Sequence, residues 1–209
     1  MKNYKTEQEN FWASSEWGED YIKRNGQELI KNNINFFSSI FEKCSNIGSI
    51  IEFGSNIGMN LHAIDKLFNN VELSAIEINS EAVAELNKLD FLTNVYHESI
   101  LEFEANKSWD FVFIKGVLIH INPEYLDTVY EKLYKCSNKY ILIAEYYNPS
   151  PVTIKYRGHE NRLFKRDFAG EMLDKYDDLE LVDYKFVYHK DNNFPQDDIT
   201  WFLLKKKGK

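Results

Sequence analysis

From Ser49 onward the chain alternates short β-branched or aromatic runs with longer segments of helical period, and this restricts it to βα units wound around a largely parallel sheet. Runs at 49–53 (SIIEF), 72–77 (ELSAIE), 94–97 (NVYH), 110–114 (DFVFI) and 140–145 (YILIAE) read as strands. Their middles are almost continuously apolar, as strands covered on both faces require. Segments 58–68, 80–89 and 123–136 carry apolar residues three or four apart and read as the crossover helices. Asn79-Ser80 and Asn122-Pro123 supply cap and first-turn signals for two of them. Residues 179–189 and 199–205 read as two further strands joined by a polar loop around Pro195, an antiparallel closing pair. Residues 7–43 read as two or three helices. The expectation is a doubly wound α/β fold with a seven-stranded sheet, mostly parallel with a C-terminal antiparallel strand, preceded by N-terminal helices.

A chain of 209 residues suits one domain. Composition narrows its partners: a formal charge of −8 argues against broad binding to nucleic acid, where counterion release supplies much of the affinity. The Lys205-Lys206-Lys207 run reads as a solvated chain end. No stretch approaches the roughly 20 apolar residues needed to cross a bilayer, and the N-terminus lacks a secretory apolar run, so no membrane partner is expected and the cytoplasm is the expected location. Cys44 and Cys136, far apart and without companions at metal spacing, read as free thiols, with no metal site expected.

The most informative local signal is Ile50-Ile51-Glu52-Phe53-Gly54-Ser55-Asn56-Ile57-Gly58, a buried strand entering a glycine turn and then a helix. Gly54 and Gly58 let backbone turn tightly and approach a ligand where a Cβ would collide. Glu77 ends the second strand, where an acid can accept both ribose hydroxyls of an adenosine. The turn is not G-x-G-x-x-G, so it lacks the close diphosphate approach of a dinucleotide site. Glu52, two residues before Gly54, would repel a diphosphate more readily than a cationic amino-acid moiety.

At these residues the sequence resembles the class I S-adenosylmethionine-dependent methyltransferases, whose first motif is acid-x-Gly-x-x-x-Gly; EFGSNIG fits it. The resemblance covers about residues 49–145 and implies a Rossmann-like sheet with S-adenosylmethionine as cofactor and S-adenosylhomocysteine as product. It implies cofactor contacts from Glu52, Gly54, Ser55, Asn56, Gly58, Glu77 and Ile78. Ser99 and Ile100 would lie at the adenine, although Asp is more usual there than Glu98-Ser99. DFVFIKGVLIHI resembles the family's fourth-strand stretch and places Lys115 and Gly116 at the strand exit beside the cofactor. His120 would then face the cleft, either with a direct role or as a packing histidine. The flanks, ENFWASSEWGEDYIKRN at 9–25, EYYNPSPVTIKYRGHENRLFKRDFAGEML at 145–173 and HKDNNFPQDDITWFLL at 189–204, are similar to the methylases associated with pseudaminic acid biosynthesis. That narrower likeness implies a small-molecule acceptor such as a nucleotide-activated or nonulosonic-acid-type sugar in surface glycan biosynthesis.

This reading divides the domain into an N-terminal helical lid (1–45), a cofactor-binding core (46–145), an acceptor loop (146–170) and C-terminal strands (171–209). The segment 146–166, with two prolines and a glycine, reads as a long irregular functional connection at the ligand-binding edge of the sheet. In it Arg157, Arg162, Lys165 and Arg166 are candidates to hold phosphate or carboxylate, and Tyr146, Tyr147 and Tyr156 to stack on a sugar or base; a solvated, partly ion-paired loop explains the same residues. Trp12, Trp17, Tyr21, Arg24 and Asn25 are candidates for a lid over the cofactor, with Tyr21 and Arg24 in contact with it; core packing explains the same aromatics. His159 is the first candidate base for a hydroxyl acceptor, with substrate orientation as its alternative and His120 and His189 as rivals. Two other readings stay open: a non-catalytic S-adenosylmethionine-binding regulator or scaffold, and an NAD-dependent Rossmann enzyme, disfavoured by the glycine pattern. Oligomeric state is not legible.

Overall fold

A computed structural model of the chain describes residues 4–14, 27–156 and 158–208, apart from the side chains of Gln27, Glu28, His159 and Glu160. Among the described residues seven strands form one sheet in the order β3-β2-β1-β4-β5-β9-β8, and two more form a separate pair, β6-β7. The strands are β1 (Ser49–Phe53), β2 (Glu72–Glu77), β3 (Leu92–His97), β4 (Trp109–Lys115), β5 (Ser137–Glu145), β6 (Val152–Tyr156), β7 (His159–Lys165), β8 (Leu179–Val187) and β9 (Ile199–Lys206). The helices are α1 (Glu7–Ala13), α2 (Gln27–Phe41), α3 (Met59–Asp65), α4 (Ser80–Leu86), α5 (Leu126–Cys136) and α6 (Phe168–Lys175). Strands β1, β2 and β3 pair in parallel, as do β4 and β5, whereas β9 runs antiparallel to both β5 and β8. This is the expected mostly parallel sheet with its antiparallel strand. None of the described helices is long and apolar enough to cross a membrane.

By contact the chain falls into two compact units, Met1–Glu104 and Ala105–Lys209. In the first, Ile50, Ile51, Phe53, Ala75, Ile76, Leu61 and Ile64 are fully buried, which accounts for the unbroken apolar runs of β1 and β2. Helix α1 begins with a capping box: the Thr6 hydroxyl accepts from the Glu9 amide at 3.0 Å, and the Glu9 carboxylate accepts from the Thr6 amide at 2.9 Å. The other Glu9 oxygen accepts a short hydrogen bond from the Ser99 hydroxyl. Asn79 works in two directions. Its Oδ1 accepts from the Glu81 and Ala82 amides and caps α4, while its Nδ2 donates to the Trp12 and Ser14 carbonyls at 3.1 Å and closes the end of α1. Helix α1 is thereby fastened to the segments that follow β2 and β3. Trp17, Tyr21, Arg24 and Asn25, the remainder of the expected lid, lie outside the described residues.

The double duty of Asn79 has a measurable consequence. Asn79→Ala should cost about 2–3 kcal/mol, from the lost cap and two orphaned carbonyls, in urea unfolding. Asn79→Asp keeps the cap acceptor but turns a carboxylate oxygen toward the Trp12 and Ser14 carbonyls, so it should still cost at least about 1–2 kcal/mol; an Asp variant as stable as the wild type would remove the link to α1.

In the second unit the segment 146–166 is not an irregular connection. Most of it is the β6-β7 hairpin, with Val152 opposite Lys165, Ile154 opposite Leu163 and Tyr156 opposite His159. Gly158, at φ 88°, sits in its turn, and Tyr147 bridges Arg166 at its base. The punctuation misled the sequence reading because Pro149 and Pro151 fall before β6 and the glycine falls in the turn, so none of them interrupts a strand. Smaller differences concern boundaries. β3, β4 and β5 start earlier than expected, α3 stops at Asp65, and 123–136 opens with a 3-10 turn, Pro123–Tyr125.

Candidate functional site

The turn after β1 is the most constrained backbone of the first unit. Gly54, Asn56 and Gly58 all have positive φ, at 79°, 46° and 82°. For a non-glycine residue such as Asn56 this conformation is uncommon, and its short polar side chain tolerates it best. The Gly54 and Ser55 amides donate to the Ile76 carbonyl at 2.9 and 3.0 Å, which continues the β1-β2 ladder into the turn. The Ser55 hydroxyl donates to the Glu52 carbonyl, and the Gly58 amide closes the turn on the Ser55 carbonyl. A Cβ on Gly58 would come to 3.0 Å from Leu86 Cδ2 and Leu89 Cδ1, so the glycine also makes room for side chains at and beyond the end of α4.

Glu77 bonds this turn, and Glu52 bonds the helix that follows it. Glu77 is buried, and its Oε2 accepts from the Asn56 amide at 2.7 Å while its Oε1 accepts from the Ile78 and Asn79 amides at 2.8 and 2.7 Å. Burial raises its pKa, and the three backbone donors and His97 pull it back. Glu52, almost fully buried, accepts from Asn60 Nδ2 at 2.6 Å and so ties β1 to the first turn of α3. Ser99 is 1% exposed, and its hydroxyl both donates to Glu9 and accepts from the Leu101 amide, so it pins α1. Ile100 is buried and Ile78 half-buried beside them.

In the second unit Lys115 ends β4, and Gly116, at φ 68°, donates its amide to the Ala144 carbonyl at 2.9 Å. Glu145, which sequence reasoning missed, holds the segment that follows. Its Oε1 accepts from the Val117 and Leu118 amides at 2.9 and 2.8 Å. Its Oε2 is buried with no hydrogen-bond partner among the described residues, and burial pushes the carboxyl up to about 7. The signal available in sequence was an acid closing an otherwise apolar strand, YILIAE.

His120 is buried, bonds the Arg162 carbonyl through Nδ1 at 2.7 Å and meets Tyr156 edge-on with ring centroids 5.1 Å apart. Burial depresses its pKa to about 4, so it is neutral at physiological pH. Its contacts are those of a histidine packing the 3-10 turn Leu118–His120 against β7. His159 stands at the start of β7, its side chain outside the described residues, as is Arg157 entirely. Of the other acceptor candidates, Arg166 is ion-paired to Glu171 at 2.6 Å, and Tyr130 donates to the other oxygen of the same carboxylate. Lys165 lies 5.0 Å over the Tyr146 ring, Tyr147 packs on Phe202, and the Arg162 guanidinium lies near the Asn161 carbonyl at 3.4 Å. His189, a rival base, pairs with Asp198 at 2.8 Å on the surface. The ion-paired account of this cluster holds for Arg166.

No family model and no curated protein matches the chain, so the likeness to pseudaminic acid-associated methylases finds no support there. Solved structures do match. The chain is similar to the plantazolicin methyltransferase BpumL in complex with SAH, at 17% identity over 95% of this chain and 93% of that one, TM-score 0.66. It is similar to the 1,6-didemethyltoxoflavin-N1-methyltransferase of Burkholderia thailandensis, at 11% identity over 95% and 86%, TM-score 0.69. A third match is a S-adenosylmethionine-dependent methyltransferase from Clostridium acetobutylicum ATCC 824, at 12% identity over 90% and 95%, TM-score 0.64. The chain therefore has the Rossmann-like fold of the class I methyltransferases.

Proposed function

We propose that the chain is a S-adenosylmethionine-dependent methyltransferase that holds its cofactor on the 54–58 turn and releases S-adenosylhomocysteine. The observation that carries this is a turn with three positive-φ residues that is bonded by the buried carboxylate of Glu77 and follows directly on the buried Glu52. A negative cradle of this kind suits an ammonium- and sulfonium-bearing nucleoside and opposes a diphosphate. Glu77 uses three of about four lone-pair sites on backbone amides and keeps capacity for a ribose hydroxyl. Glu52 faces the amino-acid end. Ile78 and Ile100 supply apolar wall for the base, and sequence resemblance alone assigns Lys115 and Gly116 to the cofactor.

When bound, the cofactor supplies an electrophilic methyl. The protein's part is alignment and exclusion of water. For the acceptor the reading is a small polar molecule, a nucleotide-activated or nonulosonic-acid-type sugar in a cytoplasmic step of glycan biosynthesis; it rests on the flanking sequence and on Tyr156 and Arg162. A hydroxyl acceptor needs a base, and His159 is assigned that proton. His159→Ala should lower turnover by about two orders of magnitude with cofactor affinity nearly unchanged; unaltered turnover removes the assignment.

Calorimetry with S-adenosylmethionine, S-adenosylhomocysteine and NAD tests the reading directly. Heat with the first two and none with NAD is expected; the reverse overturns it. Incubation with nucleotide sugars and a mass gain of one CH2 separates an enzyme from a non-catalytic binder.

A further inference from the structure

Two strands by themselves make only a marginal hairpin in water, so β6-β7 depends on what it lies against. Strand β6 contributes little, since Val152, Thr153, Ile154 and Lys155 are all exposed, whereas Leu163 and Phe164 of β7 are buried. At its base the hairpin is fastened by Arg166, ion-paired to Glu171 and bridged to Tyr147. Its far half rests on the 3-10 turn Leu118–His120. There His120 reaches both strands: Nδ1 bonds the Arg162 carbonyl of β7 at 2.7 Å, and the ring meets Tyr156 of β6 edge-on. A carbonyl only accepts, so Nδ1 carries the hydrogen, and the bond persists whether the ring is neutral or charged. Tyr156 is the cross-strand partner of His159, so these contacts hold the end of the hairpin where His159 stands.

The turn that carries His120 is itself held from β5. Its first two amides, of Val117 and Leu118, donate to Glu145 Oε1 at 2.9 and 2.8 Å. The carbonyls of the same two residues accept from the His120 and Ile121 amides at 2.9 and 3.1 Å, which closes the turn. Helical turns begin with amides that need an outside acceptor, and Val117, at the cap position, has no side-chain oxygen to offer. The buried carboxyl of a neighbouring strand supplies it instead. We propose that Glu145 is a positioning residue for the acceptor hairpin: it caps the 117–120 turn, and through His120 that turn fixes the end of β6-β7 that bears His159. A general base must stand within about 2.6–3.2 Å of the proton it takes, so slack in this support becomes slack at the reacting atom. The role of the hairpin rests on the methyltransferase reading, whereas the linkage from Glu145 to the hairpin is tested without cofactor or acceptor.

Amide exchange on the full chain without ligand tests it, with the core amides of β5 as the reference for global stability. Glu145→Ala should speed exchange at Val117, Leu118 and the protected amides of β7 by about tenfold or more, the size set by a lost buried hydrogen bond. Glu145→Gln loses the charge but keeps an oxygen for the two amides, and should stay within about threefold of wild type at all of them. His120→Phe keeps a ring against Tyr156 and loses the bond to Arg162. It should speed β7 by about tenfold and leave Val117 and Leu118 nearly unchanged. In E145A/H120F the hairpin should exchange little faster than in Glu145→Ala alone, because the two groups act in series; independent destabilisations would multiply. Wild-type rates at β7 in Glu145→Ala, a glutamine variant as fast as the alanine one, or multiplied effects in the double variant would each overturn the proposal. A His120→Phe hairpin at wild-type rates overturns it with no reference to the alanine variant.

Discussion

Glu77→Ala should lose about 3 kcal/mol or more of stability in urea unfolding and weaken S-adenosylhomocysteine binding at least a hundredfold by calorimetry. The size follows from what the carboxylate holds. Three backbone amides, of Asn56, Ile78 and Asn79, donate to it in a buried setting, and each donor left unmade costs about 1–3 kcal/mol, less whatever entering water restores. One of the three belongs to a positive-φ residue in the glycine turn, so removing the acid releases the turn itself. Glu77→Gln separates structure from charge. Its amide oxygen can keep one side of the network, while its NH2 opposes the amides on the other, so stability should fall by only about 1–2 kcal/mol. Affinity should still drop by more than tenfold. An alanine variant within about 1 kcal/mol of wild type, with affinity intact, would show that Glu77 neither builds the turn nor meets the ligand.

The strand segments and the glycine turn were legible in the sequence because both are local. Apolar runs such as SIIEF and YILIAE mark strands covered on both faces, and Asn79 and Asn122 stand where a helix needs a cap. The partners of long polar side chains were not legible, because spacing along the chain does not fix them. Ser99 reads as a cofactor contact, yet its hydroxyl meets Glu9, 90 positions earlier. Arg166 reads as a phosphate ligand, yet it is paired to Glu171, whose second oxygen is bonded by Tyr130. His120 reads as facing a cleft, yet the Arg162 carbonyl holds its ring. In each case a polar group that sequence alone would assign to a ligand is satisfied within the protein, which is what burial demands. The hairpin was missed for a different reason: proline and glycine mark the ends of strands as readily as their absence.

Glu145 and His120 should give the protein two opposing pH dependences that a single substitution separates. The Glu145 carboxyl rises from its ordinary 4.5 to about 7 on folding, so the folded chain holds a proton that the unfolded chain has released. Stability from this group is full below pH 4.5 and is lost, by about 3 kcal/mol, as pH rises through 7. His120 falls from 6.5 to about 4, so the unfolded chain takes up the proton first. Its contribution is full above 6.5 and is lost, by a similar amount, as pH falls toward 4. Between pH 4.5 and 6.5 the two slopes, each about 1.4 kcal/mol per pH unit, oppose one another and largely cancel. Glu145→Gln removes one of them and keeps an oxygen for the Val117 and Leu118 amides. The variant's stability should therefore climb by about 2–3 kcal/mol across that window, and its difference from wild type should grow by about 3 kcal/mol between pH 4.5 and 7.5 in urea unfolding. A difference that stays constant within about 1 kcal/mol would mean that ionised Glu145 is not opposed by its surroundings. Because the bonds at stake fix the backbone just after Lys115 and Gly116, amide exchange at Val117 and Leu118 should change with pH in the wild type and not in Glu145→Gln, which links a titration inside β5 to the order of the segment assigned to the cofactor.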